Sequence, residues 1–118
     1  MTFNRNLIFI EHILDIIKDI ERSISGINKD KFIGDMDIRD ANVRRLETIG
    51  EAVKNISDDF RKQYPQVEWK KIAGTRDVII HKYFEVDLDI VWKIICDDLP
   101  KLKNQMLDIK RGIENNKK

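Results

Sequence analysis

The sequence predicts an all-α fold, an antiparallel four-helix bundle, and three observations predict it. The chain of 118 residues holds only five Gly and two Pro, too few turn formers for the many reversals of an all-β domain. Hydrophobic residues make up 42% and charged residues 36%, a mixture that suits amphipathic helices and is too apolar for a disordered tail. Apolar residues also recur at alternating three- and four-residue steps in three separate stretches, the spacing of a buried helical stripe. Turns between the stretches favour packing within one chain over an extended coiled coil. The length fits a single domain, residues 1–113, with a polar tail over 114–118 that frays.

The first helix is expected from about Phe3 to Ile24. Its seam is Ile10, Ile13, Ile17, Ile20 and Ile24, with Ile27 in the same rhythm, and Ser25-Gly26 supplies the stop. Residues 28–37 mix charges with Gly34 and read as a connection. The second helix is expected from Asp37 to Tyr64, along Leu46, Ile49, Val53, Ile56 and Phe60. Asp37 or Asp40 can cap its start, and Pro65 closes it by biasing Tyr64 away from helical geometry. A shorter helical segment follows from Glu68 to Tyr83, broken or bent at Gly74. The last helix runs from Asp87 to Ile113 through Leu88, Trp92, Ile95, Leu99, Leu102, Met106 and Ile109, with Pro100 kinking it or starting a new segment.

Composition also bounds the setting. A lone cysteine, Cys96, makes no intrachain disulfide and points to a reducing cytoplasm. Its place in a helical apolar pattern reads as a buried structural thiol. The Ile-rich N-terminus carries Glu11, Asp15, Lys18 and Asp19, so it has neither a membrane span nor a signal-peptide pattern. The net charge is only +1, but its distribution is uneven. Between Arg61 and Tyr83 six cationic side chains face two anionic ones, a local +4. That favours an anionic ligand near this stretch.

Within it lies Arg76-Asp77-Val78-Ile79-Ile80-His81-Lys82-Tyr83. On a helix Asp77 and His81 sit about 40° apart, so the carboxylate reaches the imidazole, fixing its tautomer and favouring its charged form. Arg76 and His81 differ by about 140°. One rigid helix does not aim both at one point; Arg76 must curl round, or a second protomer must complete the site. Tyr83 lies about 20° from Arg76 and can share its edge. The residue types suit cleavage of an RNA phosphodiester. A histidine takes the proton from a ribose 2′-hydroxyl or returns one to the leaving 5′-oxygen, and a forked guanidinium suits the charge on a phosphorane-like transition state. Such chemistry needs no metal but two acid–base groups, which a two-fold dimer would supply. Taken alone, such a string arises easily by chance, and most are surface ion pairs. His12, the other histidine, reads as a boundary residue of the first helix.

The motif Arg, four residues, His, one residue, Tyr resembles the signature of the HepT branch of the HEPN superfamily. Arg45 to Ile56, Trp69 to Asp77, and Tyr83 to Trp92 with Asp98-Leu99-Pro100 are also similar, so the resemblance spans roughly residues 40–107 in intact order. It implies a HEPN-like four-helix bundle forming homodimers, and a toxin acting as a metal-independent endoribonuclease with Arg76 and His81 as the catalytic pair. Asp77 falls where Asn is also common in the family, in a supporting role. Tyr83 matches a tyrosine that an MntA-like minimal nucleotidyltransferase antitoxin modifies with AMP; the added charge and bulk would repel RNA. No cofactor is implied. Glu47 and Glu51 could line the cleft or form a solvated face. The alternative function is a non-catalytic helical subunit that binds nucleotide or substrate for the nucleotidyltransferase.

Overall fold

Helix capping and apolar spacing divide the chain into more pieces than its seams suggest. The computed structural model describes residues 4–79 and 86–116. Among them are α1 (Arg5–Ile24), α2 (Lys29–Gly34), α3 (Met36–Lys54), α4 (Asp58–Gln63), α5 (Trp69–Ala73), α6 (Thr75–Ile79), α7 (Leu88–Lys93), a π-helical turn (Ile94–Asp98) and α8 (Leu99–Asn116). These residues contain no β-strand, as an all-α chain requires.

Three long helices form the frame. Asn6 near the start of α1 bonds Ser57 beyond the end of α3, whereas Ser23 near the end of α1 bonds Asn42 in the first half of α3. These two helices therefore run antiparallel. Glu11 and Glu21 of α1 meet Lys110 and Lys103 of α8 in the reverse order, so α1 and α8 are antiparallel too. The predicted seams are the core: Ile10, Ile13, Ile17 and Ile20 from α1, Leu46, Ile49 and Val53 from α3, and Leu99, Leu102, Met106, Ile109 and Ile113 from α8 are all buried. Each such aliphatic side chain contributes about 1.5–3 kcal/mol when fully buried. Short helices α5, α6 and α7 fill the remaining side against α3 and the π-helical turn.

The departures have local causes. Residues 28–37 contain a helix, because the Asn28 side chain caps α2 by accepting from the Lys31 N–H at 2.9 Å and Phe32 is fully buried. Phe32 packs against Trp92 with the rings tilted and their centroids 5.1 Å apart, and Lys29 meets Asp89 at 2.7 Å, tying α2 to α7. Asp35, rather than Asp37 or Asp40, caps α3 by accepting from the Ile38 N–H at 3.1 Å. The expected second helix is two helices. Asn55 ends α3, and Ser57 starts α4 by accepting from the Phe60 N–H at 3.3 Å. Arg61 of α4 folds back to donate to the Val53 and Ile56 carbonyls at 2.9 and 3.1 Å, so this cation of the basic stretch closes the end of α3.

Asp87 caps α7, and the helical backbone then continues through the π-turn into α8. The Leu99 N–H reaches the Ile94 carbonyl, five residues back. This wide turn sits immediately before Pro100, whose missing N–H and bulky ring an α-helical ladder would not accept. Within the turn Ile95 stays buried, whereas Cys96 beside it is exposed, not a buried structural group. Partial desolvation and then the neighbouring Asp97 hold it above its ordinary pKa. α8 continues to Asn116, past the Ile113 at which the apolar pattern ends. No helix of the described residues is long and apolar enough to cross a membrane.

Candidate functional site

The site is built by a close approach of two helices. Gly50 of α3 is buried, and a Cβ on it would lie 3.0 Å from the Ile72 carbonyl oxygen and 3.4 Å from that of Ala73. A side chain here would push the backbone at the end of α5 back from α3. Trp69 anchors the other end of α5, donating its indole N–H to the Tyr64 and Arg61 carbonyls at 3.0 and 3.1 Å. Gly74 ends α5, as the sequence predicts. The Thr75 hydroxyl donates to the Ile72 carbonyl at 2.6 Å and fastens the first residue of α6 to α5.

α6 consequently presents Arg76 to α3. Its Nε lies 3.8 Å from Oε2 of Glu47, with 65% of the arginine side chain and 33% of the glutamate side chain exposed. A pair this wet contributes little to stability; its effect is to aim the guanidinium. Glu47 also lines a cleft of ≈450 Å³ with Arg39, Asp40, Val43 and Arg44 of α3 and with Val86 and Leu88. Glu51, one turn further along α3, points elsewhere: it is exposed and pairs with Lys54 at 3.2 Å. Of the two glutamates weighed from sequence, only Glu47 faces the site.

Asp77 is exposed on the same short helix. Its N–H bonds the Gly74 carbonyl at 2.9 Å. His81 and Tyr83 lie outside the described residues, and so does the predicted Asp77–His81 contact. The flanking chain on either side is fixed: the Asp87 N–H donates to the Ile79 carbonyl at 2.7 Å, so the two residues bracketing the rest of the motif are in contact. His12 is exposed on α1.

Arg39 and Arg44 escaped the sequence reading because they lie outside the Arg61–Tyr83 charge excess. The available signal was their spacing: 39, 43 and 47, with 40 and 44, fall on one stripe of a helix. A second hollow of ≈390 Å³ opens between α3, α5, α6 and the π-turn, with Ile49, Ile72, Val78 and Ile94 in its lining. Val78, two residues beyond Arg76, is 42% exposed.

The model of the family described as Ribonuclease HepT-like matches residues 13–109. A Methanocaldococcus jannaschii protein named as a gamma-glutamylcyclotransferase and candidate RNase is 41% identical over 110 residues, covering 93% of this chain and 50% of that protein. The chain thus spans half the length of that relative. A candidate RNase of the same organism, MJ1380, is 41% identical over 98 residues, 83% of this chain and 90% of its own. A Thermococcus cleftensis protein whose name reads "probable ribonuclease HepT" is 37% identical over 103 residues, 87% of this chain and 94% of its own. No solved structure matches.

Proposed function

Because the chain belongs to the HepT-like ribonuclease family, we propose that it is an endoribonuclease toxin that cuts RNA without a metal, with Arg76 and His81 as the catalytic pair. The observation that carries this reading is the Arg76 guanidinium, largely exposed on α6 and paired with Glu47, a residue that lines an open cleft of ≈450 Å³. A permanently charged, forked donor at such a place suits the extra negative charge of a pentacoordinate phosphate.

In the proposed reaction the ribose 2′-oxygen attacks the adjacent phosphorus while a histidine takes its proton. The bond from phosphorus to the 5′-oxygen breaks, and a protonated histidine returns a proton to that oxygen. The fragments carry a 2′,3′-cyclic phosphate and a 5′-hydroxyl. One His81 per chain supplies one acid–base group, so the reading includes a homodimer with two motifs at a shared cleft. The apolar hollow beside α6 supports that assembly. Ile49, Ile72, Val78 and Ile94 give it apolar surface for a second copy to cover, while Lys71 and Lys101 on its rim pair with Glu68 at 3.7 Å within the chain. Asp77 orients His81. Tyr83 takes AMP from a minimal nucleotidyltransferase antitoxin, which places a phosphodiester and a nucleoside beside the motif and blocks RNA.

Purified protein incubated with total RNA in EDTA tests the assignment. The expected result is cleavage that disappears in both Arg76→Ala and His81→Ala, each folding as the wild type does. RNA left whole by the wild type overturns the nuclease reading in favour of a nucleotide-binding subunit.

A further inference from the structure

We infer that the cleft between α3 and residues 86–88 binds the RNA strand beside the scissile phosphate, with Arg44 as its phosphate-contacting residue. The inference rests on the ribonuclease reading and adds to it a substrate subsite outside the motif.

The charges in the cleft distinguish Arg44 from its neighbours. Arg39 is committed: its guanidinium donates to the Ile33 carbonyl at 3.0 Å and lies 3.6 Å from Asp40. Glu47 is turned to Arg76 at 3.8 Å. Arg44 is exposed, and its guanidinium makes no hydrogen bond or ion pair among the described residues. Arg44 stands one helical turn before Glu47, on the same face of α3. Arg44 follows Asp40 of the same lining by one turn and precedes Glu47 by one, with Arg76 of α6 beyond Glu47, so cations and anions alternate along the cleft.

That alternation fits a polyanion with regularly spaced charges. Arg76 meets the phosphate that reacts, and Arg44 meets the next one along the strand. Glu47 between them keeps a phosphate from binding out of register. Between the charged groups the cleft exposes apolar surface: Val43 is buried at its base, and Val86 and Leu88 are half-buried on the opposite wall. Among the described residues no aromatic ring lines it, so the affinity these residues give comes from phosphate contacts and should not depend on base identity. A contact that only holds the strand acts on substrate binding and leaves the bond-breaking step alone.

The test is binding of a 2′-O-methyl oligonucleotide, which cannot be cut, measured by fluorescence anisotropy across a salt series. Wild type, Arg44→Ala, Arg44→Glu and Arg111→Ala are compared, beside steady-state cleavage of the unmodified RNA. Arg111 lies near the far end of α8 and serves as the control. For Arg44→Ala, affinity should fall about tenfold on every sequence, the scale of one lost charged contact. The slope of log K against log salt should shrink by about 0.7. KM should rise while kcat holds, Arg44→Glu should lose more, and Arg111→Ala should match the wild type. If the wild type cuts RNA but Arg44→Ala keeps its affinity and salt slope, the subsite is wrong and the nuclease reading stands. A loss confined to kcat also overturns the subsite. Wild type that neither binds nor cuts RNA overturns both.

Discussion

Gly50 meets the Ile72 carbonyl so closely that an added methyl group would lie 3.0 Å from that oxygen. This contact fixes α5 against α3 and, through the Thr75 hydroxyl on the same carbonyl, sets where α6 begins. Arg76 inherits its position from it. Gly50→Ala should gain about 1 kcal/mol of helix propensity yet lose more by forcing two backbones apart, for a net loss of about 1–2 kcal/mol. Chemical denaturation measures the loss. Activity should fall further than stability predicts, because Arg76 moves with α6.

Glu47→Gln separates aiming from binding. The pair is too exposed to matter for stability, so the melting temperature should hold to within the effect of a surface ion pair, below about 1 kcal/mol. Without its carboxylate, Arg76 loses orientation and kcat should drop severalfold. Removing a negative charge from the cleft should at the same time tighten RNA binding, so KM falls. Steady-state kinetics in which both constants stay at wild-type values would remove Glu47 from the site.

Trp69→Phe deletes the indole donor shared by the Tyr64 and Arg61 carbonyls. Both oxygens keep a backbone donor, Val67 N–H for Tyr64 and Tyr64 N–H for Arg61, so neither is orphaned. The expected cost is about 1 kcal/mol, that of a satisfied hydrogen bond, read from urea midpoints at unchanged slope.

Asp35 carries a pH signature. The Ile38 N–H it caps, followed by Lys31, holds its carboxyl below the ordinary carboxylate value. A depressed folded pKa contributes stability above the unfolded value, and that stability is lost as the pH falls through the folded value. Melting temperatures of wild type and Asp35→Asn should therefore differ most near neutral pH and converge in acid. A difference that grows on acidification would reverse the assignment.

The parts of this fold that were legible in the sequence are those set by repetition. Ile10 to Ile20, Leu46 to Phe60 and Ile95 to Ile113 announce buried stripes because each helix must bury one face, and these residues are buried. Single residues acting on the backbone were harder to read. Ser57 breaks a long periodic run without disturbing its apolar rhythm, since Ile56 and Phe60 stay buried on either side of the break. Phe32, Ile33 and Met36 are the apolar residues of a charged stretch that also holds Gly34, too short a run to mark α2. Cys96 follows the buried Ile95 in an apolar run, and its exposure was not readable from that run. At the site, Arg76 was visible through the motif. Glu47 was legible only as one of two candidates with Glu51, and Arg44 not at all, because only the approach of α5 and α6 decides which face of α3 becomes a cleft. The predicted roles of His81 and Tyr83 concern residues outside those described.

The most direct test of the account is the chemistry of the ends it leaves. RNA cut by the wild-type protein in EDTA should carry 2′,3′-cyclic phosphate and 5′-hydroxyl termini, and Arg76→Ala and His81→Ala should make none. Fragments with 5′-phosphate termini, or cutting that survives the loss of Arg76, would contradict it.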